Sequence, residues 1–217
     1  MSRAYNRSTS AASTMCVIAM AGCSDPSGDY EAFRSRVGTT ADSAVTTDTS
    51  SDGSVFDEAG VAGFSGKFWG ACLDGSYVGD VSKVTYDLFD FNFTQSGTSI
   101  SVSGTRQALT VDAKNISQVT GEVVTIPVTP VKPDGTFSAA VAKFIEPKNA
   151  NGFDLDLTVD KGVYQFGMTS TEGGCGKFVG QVTSPLVQDV DQTCLFARPK
   201  PDGSFTRFAD TTAFHCP

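Results

Sequence analysis

The stretch VTYDLFDFNFT (residues 84–94) decides the fold class, because its apolar and polar residues alternate with the period of a β-strand. Its apolar residues form two sets, which are Val84, Tyr86 and Leu88 and then, one position out of phase, Phe89, Phe91 and Phe93. Since no turn residue separates the sets, we predict a β-bulge at Leu88 and Phe89 that keeps both on one face. The stretch therefore predicts an antiparallel strand with one buried face.

Four further segments show the same alternation. They are SISVS (residues 99–103), VVTIPV (123–128), FDLDLTVD (153–160) and VYQFGMT (163–169). Their predicted inward residues are Ile100, Val102, Val124, Ile126, Val128, Phe153, Leu155, Leu157, Val159, Tyr164, Phe166 and Met168. Turn sequences such as KPDG recur between these segments. The pattern predicts an all-β fold, a single antiparallel meander that closes as a small β-barrel or packs as a β-sandwich.

The first 22 residues have the organisation of an export signal. Two arginines and no acidic residue occur in residues 1–14, and a short apolar run follows at residues 15–22. The sequence Met20-Ala21-Gly22-Cys23 resembles a bacterial lipobox. This resemblance implies cleavage before Cys23 and acylation of its sulfur. Because serine follows the cysteine, it also implies sorting to the outer membrane, with the domain facing the periplasm or the cell surface.

Residues 23–57 are rich in Ser, Thr, Asp and Gly and have few apolar side chains. Such a composition buries too little apolar surface to offset the entropy of ordering. We therefore predict a disordered tether at 23–57, between the signal peptide at 1–22 and one β domain at 58–217. As a flexible chain, the tether would reach on the order of 30 Å.

The charge of the chain limits its expected partners. With 16 basic and 24 acidic residues, its formal net charge is −8. Phosphate contacts in nucleic acids and electrostatic contacts with anionic lipids both need clustered Lys and Arg. We therefore expect no nucleic-acid partner, and attachment to the membrane through the lipid anchor at Cys23 alone, since two or more acyl chains anchor a protein stably.

The segment GKFWGACL (residues 66–73) opens the predicted domain and contains the single tryptophan, Trp69. A glycine followed closely by a tryptophan on the first strand resembles the lipocalin signature, although the spacing here is Gly-x-x-Trp. The resemblance implies a Trp69 that plugs the closed end of an eight-stranded barrel. Burial of Trp69 in an ordinary core is the alternative. Residues 175–185, CGKFVGQVTSP, resemble strands of uncharacterised bacterial lipoproteins, a resemblance that implies no activity.

The predicted β domain contains four of the six cysteines, which are Cys72, Cys175, Cys194 and Cys216. An even number in an exported domain predicts two disulfides. We favour Cys72 with Cys216, because a closed meander sets its first and last strands side by side, and Cys175 with Cys194, as a staple across one hairpin. A zinc site that includes His215 is the alternative, but the sequence lacks a Cys-x-x-Cys pair.

No catalytic constellation emerges from the sequence. Its single histidine, His215, lies two residues from the end, whereas Ser-His-Asp and Cys-His sites need an imidazole held in a structured pocket. The pairs Asp154 with Asp156 and Asp189 with Asp191 are typical of a solvated strand face rather than of a calcium or glycosidase site. We expect no enzymatic activity, no cofactor and no metal.

The aromatic residues leave two functions open. If the domain is a barrel with a cavity, one set would line an apolar pocket: Trp69, Phe91, Phe93, Phe153, Tyr164 and Phe166. In a sandwich, the same side chains would interlock and fill the core. The sequence favours the filled core, and hence a structural or interaction module that binds an envelope protein. The alternative is a lipocalin-like carrier of a small apolar molecule.

Overall fold

The computed structural model describes residues 54–56, 60–212 and 214–216, which form an all-β domain, as predicted. Within these residues, short 3₁₀ helices occupy Val61–Phe64, Gly75–Tyr77 and Val81–Lys83. The strands are β1 (Gly66–Asp74), β2 (Thr85–Ser96), β3 (Ser99–Leu109), β4 (Val119–Val131), β5 (Thr136–Ala140), β6 (Phe144–Glu146), β7 (Leu157–Ser170), β8 (Gly173–Ser184) and β9 (Gln188–Ala197).

The strands form a nearly closed antiparallel barrel. Their order is β4-β3-β2-β1-β9-β8-β7-β5, and β6 pairs with β7 beyond the end of β5, so that β5 and β6 together occupy the eighth position. The first strand, β1, pairs with the last strand, β9. Of the two architectures left open by the sequence, the domain therefore adopts the barrel.

One seam interrupts the hydrogen bonding of the barrel, between β4 and the β5–β6 position. Individual contacts bridge it. At one end, the backbone N–H of Lys132 donates to Thr136 O over 2.9 Å. Further along, the backbone N–H of Ile145 donates to the Glu122 carboxylate, Oε1, over 2.6 Å. A side-chain acceptor thus replaces a backbone acceptor at this part of the seam.

Phenylalanine rings fill the interior at one end of the barrel, which we call the closed end. Phe89, Phe91 and Phe93 of β2 face inward and are at most 3% exposed. The rings that meet them belong to Phe68, Phe137, Phe166 and Phe196. The ring centres of Phe89 and Phe166 are 5.4 Å apart and their planes nearly perpendicular, an edge-to-face arrangement favoured between aromatic side chains.

The predicted β-bulge at Leu88 and Phe89 is wrong. Strand β2 pairs with both neighbours without a register shift. The out-of-phase residue Tyr86 is nevertheless buried, because it faces a second core on the outer surface of the barrel. There, Phe205, Phe208 and Phe214 of the C-terminal segment pack together with strand residues, and Phe205 stacks on Trp69 with 4.8 Å between ring centres. Since apolar residues are covered on both faces, the strand needs no change of phase.

Arg198 caps the closed end. Its Nη2 donates to Gly63 O and Ser65 O, over 2.8 and 2.9 Å, and its Cζ lies 4.1 Å from the centre of the Phe68 ring. Gly66 has a φ of 119°, and a Cβ there would lie 2.7 Å from Arg198 Nη1. The cap therefore requires glycine at this position.

Trp69 lies outside the barrel rather than at its closed end. Successive residues of a strand face opposite sides, so Phe68 points into the barrel and Trp69 into the second core. The aromatic residue next to the Arg198 cap is accordingly Phe68, two positions after Gly66. This geometry contradicts the expectation that Trp69 plugs the closed end.

The strand predicted at residues 153–160 begins only at Leu157. Residue Asn151 holds the preceding segment as a loop, because its Nδ2 donates to Leu155 O and its Oδ1 accepts from Phe153 N, both over 2.9 Å. Asp154 adopts a positive φ of 55°. As a result, Phe153 and Leu155 are 38% and 45% exposed.

In β4, Val124 and Ile126 face inward as predicted, but Val128 is 76% exposed. The register between β3 and β4 shifts at this point, so that Thr129, opposite Val102, takes the next inward position. An irregularity in the ladder thus reverses the side to which Val128 points.

The disulfides join Cys72 to Cys194 and Cys175 to Cys216, so the predicted connectivity is wrong. The last strand does lie beside β1, but it carries Cys194, directly opposite Cys72 with the Cα atoms 4.1 Å apart. Cys175 lies opposite Leu195, and its side chain faces outward while that of Cys194 faces inward. Cys175 therefore bonds to Cys216 of the C-terminal segment. All four cysteines of the domain are therefore in disulfides, which leaves no thiolate for the zinc site considered as the alternative.

The predicted signal peptide, the predicted lipidation site Cys23 and most of the predicted tether lie outside the described residues. Phe56, which the predicted boundary assigns to the tether, is 4% exposed, and its ring centre lies 4.7 Å from that of Phe64. The backbone N–H of Val55 donates to Pro133 O over 3.2 Å. The packed domain therefore includes Val55 and Phe56, on the N-terminal side of the predicted boundary at residue 58.

Candidate functional site

A cavity of about 270 Å³ opens at the end of the barrel opposite Arg198. Its apolar walls come mainly from β6 to β9 and include Phe144, Leu157, Val159, Phe178, Val182 and Val190. The inward disulfide contributes Cys72. This volume lies just below the range of about 300–1,000 Å³ that is usual for ligand pockets and is enough for a small organic molecule.

The phenylalanine rings that fill the closed end, such as Phe89, Phe91 and Phe166, form the aromatic core. Three buried charged side chains, which we call the charged cluster, lie between this core and the cavity. Asp87 on β2, Arg106 on β3 and Glu146 on β6 all face inward and line the cavity. Nη2 of Arg106 lies 2.5 Å from Asp87 Oδ1 and 2.6 Å from Glu146 Oε2. The side chains are only 3–7% exposed. One guanidinium therefore serves two carboxylates.

The charged cluster also crosses the seam of the barrel. Asp87 on β2 lies opposite Ala108 on β3, and Arg106 on β3 lies opposite Phe89 on β2. Glu146 lies beyond β4, on the other side of the seam. The ion pair between Arg106 and Glu146 thus joins, from inside, two parts of the barrel that lack a backbone ladder.

Burial and mutual attraction set the protonation of the charged cluster. Burial raises the pKa of Glu146, Arg106 lowers it, and repulsion from Asp87 raises it, with a resulting pKa of about 7. Burial likewise raises the pKa of Asp87 against the opposing effect of Arg106. The pKa of Arg106 is raised, because attraction to both carboxylates outweighs the effect of burial. Arg106 is therefore charged at all ordinary pH values, and Glu146 titrates near neutrality.

Hydrogen bonding within the charged cluster is incomplete. Glu146 Oε1 and Arg106 Nε are buried and have no hydrogen-bond partner in the described structure. A buried polar atom without a partner is costly, commonly about 1–3 kcal/mol. Glu146 and Arg106, which both line the cavity, therefore keep one acceptor and one donor that no other described group satisfies.

Aromatic rings surround the charged cluster. The Arg106 Cζ lies 5.2 Å from the centre of the Phe144 ring, within the range of cation–π contacts. Tyr164 is 2% exposed, and its ring centre is 4.7 Å from that of Phe178. Burial raises the pKa of Tyr164, so its phenol stays neutral. The rings of Phe144, Tyr164 and Phe178 thus give the wall next to the charged cluster an aromatic, uncharged surface.

A loop at residues 147–156, the mouth loop, borders the opening. Lys83 Nζ donates to Gly152 O over 2.5 Å and lies 4.4 Å from the centre of the Phe153 ring. A Cβ on Gly152 would come within 1.9 Å of Ser82 O, so only glycine permits this approach. Tyr77 packs edge-on against Phe153, with 5.3 Å between ring centres. The mouth loop is therefore fastened to the segment between β1 and β2.

The predicted pocket residues separate into three places. Phe153, at the mouth, and Tyr164, near the floor, line the cavity. Phe91, Phe93 and Phe166 belong instead to the aromatic core, where ring-to-ring packing fills the closed end. Trp69 lies in the second core, outside the barrel. The prediction is therefore corrected for these four residues, which do not line this cavity.

Sequence reasoning missed Asp87, Arg106 and Glu146. A signal for Asp87 was present, because it lies two residues before Phe89 and hence on the same strand face. The predicted bulge assigned Asp87 to the solvated face instead. Glu146 lies two residues after the buried Phe144, but a three-residue strand is too short for its alternation to be recognised.

Comparisons with protein-family models, with curated proteins and with solved structures found no match to this chain. Among the residues that the structure describes, no helix is long and apolar enough to cross a membrane.

We predict that the domain is more stable in mild acid than at alkaline pH. An acid whose pKa is raised by folding binds its proton more tightly in the folded state, so stability falls as pH rises through the folded pKa, here about 7. The free energy of unfolding, measured with urea, should drop by about 2 kcal/mol between about pH 5.5 and pH 8.

Glu146→Gln should remove most of this pH dependence. Glu122→Gln is the matched control, since Glu122 is exposed on the other side of the seam and its amide variant can still accept from Ile145 N. An unchanged slope in Glu146→Gln, or a loss of slope in Glu122→Gln, would contradict the assignment of the titration to Glu146.

Proposed function

We propose that this protein is a lipid-anchored protein of the bacterial outer membrane whose β-barrel binds a small, largely apolar molecule without transforming it. The observation that carries this proposal is the cavity of about 270 Å³ at the open end. The sequence alone favoured an interaction module with a filled core. The cavity instead supports the alternative, a lipocalin-like carrier.

The contrast between the two ends of the barrel supports a binding role for the cavity. Protein interiors are normally packed to the density of organic crystals, and few voids exceed the size of a water molecule. The closed end satisfies this rule with interlocking phenylalanines such as Phe91 and Phe137. At the open end, the chain instead leaves an apolar space connected to the outside, as expected of a ligand site.

Covalent and polar contacts brace the frame of the cavity. The Cys72–Cys194 disulfide joins neighbouring strands within the wall, and Arg198 fastens the closed end. A site that is already formed loses less conformational entropy when it binds. Exposed apolar side chains at the opening, Phe153, Leu155 and Leu186, would meet an apolar ligand as it enters.

The membrane part of the proposal depends on the lipobox-like residues 20–23. The net charge of −8 disfavours electrostatic attachment to anionic lipids, so an acylated Cys23 would be the means of attachment. With a tether on the order of 30 Å, the barrel would stand clear of the headgroups and its mouth would be accessible.

Filling the cavity should abolish ligand binding. Val182 of β8 faces the cavity and is 7% exposed, so Val182→Trp should occupy the space that a ligand needs. The measurement is fluorescence titration with the uncharged probe N-phenyl-1-naphthylamine, whose dissociation constant should rise at least about tenfold, equivalent to about 1.4 kcal/mol.

Val179→Trp is the matched control, because Val179 lies on the outer face of the same strand. It should bind the probe as the wild type does. Saturable binding that is equal in the wild type and Val182→Trp would place the probe elsewhere, and absence of binding in the wild type would argue against the carrier.

Replacing the acylated residue should release the protein from membranes. We expect Cys23→Ala to lose the incorporation of labelled fatty acid and to move to the soluble fraction after cell disruption, since no other anchor is proposed. Cys16→Ala, within the predicted signal, is the control and should keep both properties. Continued membrane association of Cys23→Ala would refute the lipid anchor.

A further inference from the structure

The charges that line the cavity are unbalanced. Among the lining residues, all of which the structure describes, the carboxylates are Asp74, Asp87 and Glu146, and the only basic side chain is Arg106. With all of them ionised, the lining carries two more negative than positive charges. The chain as a whole is also acidic, at −8. The field inside the cavity therefore attracts cations and repels anions.

Arg106 is already paired with two carboxylates. Its Nη2 already lies within 2.6 Å of an oxygen from each of two carboxylates. The negative group of an anionic ligand at the floor would lie next to both carboxylates. No additional positive charge would then balance the repulsion between the three negative groups. Fatty acids and other apolar acids are consequently poor candidates for this cavity.

The carboxylate of Asp74 differs from that of Glu146 in its hydrogen bonding. Asp74 lies at the mouth, and its two oxygens accept from the backbone N–H groups of Ser76 and Asp191. Glu146, which is 5% exposed, has an oxygen, Oε1, with no hydrogen-bond partner among the described residues. The unused acceptor is thus at the inner end of the cavity, where a ligand group with an N–H donor would complete it.

We infer, on the basis of the proposed carrier function, that the ligand is an amphipathic organic amine whose protonated nitrogen binds Glu146 and whose apolar body fills the cavity. The ammonium group supplies the missing positive charge next to Asp87 and Glu146. Phe144, Tyr164 and Phe178 also line the cavity, and aromatic rings attract an ammonium group. A body the size of one or two fused rings matches the remaining volume.

Binding of an amine is coupled to the ionisation of Glu146. The groups that face Glu146 are Asp87 from β2, Arg106 from β3 and the neutral Tyr164 from β7. Since the pKa of Glu146 is about 7 without ligand, amine binding at lower pH must first expel a proton. The affinity for an amine should therefore rise about tenfold from pH 6 to pH 8, while that for an uncharged analogue should not.

The test compares three ligands of one shape on the full-length protein. They are 2-naphthylmethylamine, 2-naphthylmethanol and 2-naphthoate, measured by isothermal titration calorimetry at pH 7.5. We expect the amine to bind at least about tenfold more tightly than the alcohol, as a charge-assisted hydrogen bond requires, and the carboxylate to bind most weakly. In Glu146→Gln, amine and alcohol should bind within about twofold of each other. Asp90→Asn, on the outer face of β2, should keep the preference of the wild type.

The outcomes separate this inference from the proposed function. If the alcohol binds as tightly as the amine, the cavity is a ligand site and the amine assignment is wrong. Tighter binding of the carboxylate would overturn the charge argument in the same way. If none of the three binds and N-phenyl-1-naphthylamine does not bind either, the carrier function itself fails. Near-ultraviolet circular dichroism of the aromatic core verifies that each variant is folded.

Discussion

The guanidinium of Arg106 is held between two carboxylates that reach it from strands far apart in the chain. Removing three charges from water costs several kcal/mol per ion, and mutual attraction repays this only when the geometry is good. An apolar trio of similar volume would close the barrel without that cost. The charged cluster therefore constrains the fold more than it stabilises it, because β2, β3 and β6 must all present their inward residues at one depth.

This constraint divides the barrel into two parts. On one side of the charged cluster, phenylalanines close-pack and Arg198 seals the end. On the other side, the walls separate and leave the cavity, with Glu146 as its incompletely bonded floor. The Cys72–Cys194 disulfide and the second core on the outer surface support the walls. The closed half supplies rigidity, and the open half supplies the space and chemistry for a ligand.

Much of the fold was predictable from the sequence, because the alternation of residues such as Tyr164, Phe166 and Met168 depends only on the pleat of a strand. The errors arose where a distant segment decides the local outcome. Tyr86 is buried by C-terminal residues such as Phe205 and Phe208, which no local pattern reveals, and the bulge was predicted for that reason alone. The disulfides required the register of β8 on β9, which determines that Cys175 and Cys194 face opposite sides. The charged cluster required three strands to be placed together before any of its members could be recognised.

Native mass spectrometry of the full-length protein, isolated gently from the membranes of cells that produce it, tests the central claim most directly. The account predicts a native mass that exceeds the denatured mass by one small-molecule increment, and a released molecule that contains a basic nitrogen and an apolar body. Equal native and denatured masses in a correctly folded sample that also fails to take up added amine would contradict the account, and so would a released molecule that is an acid.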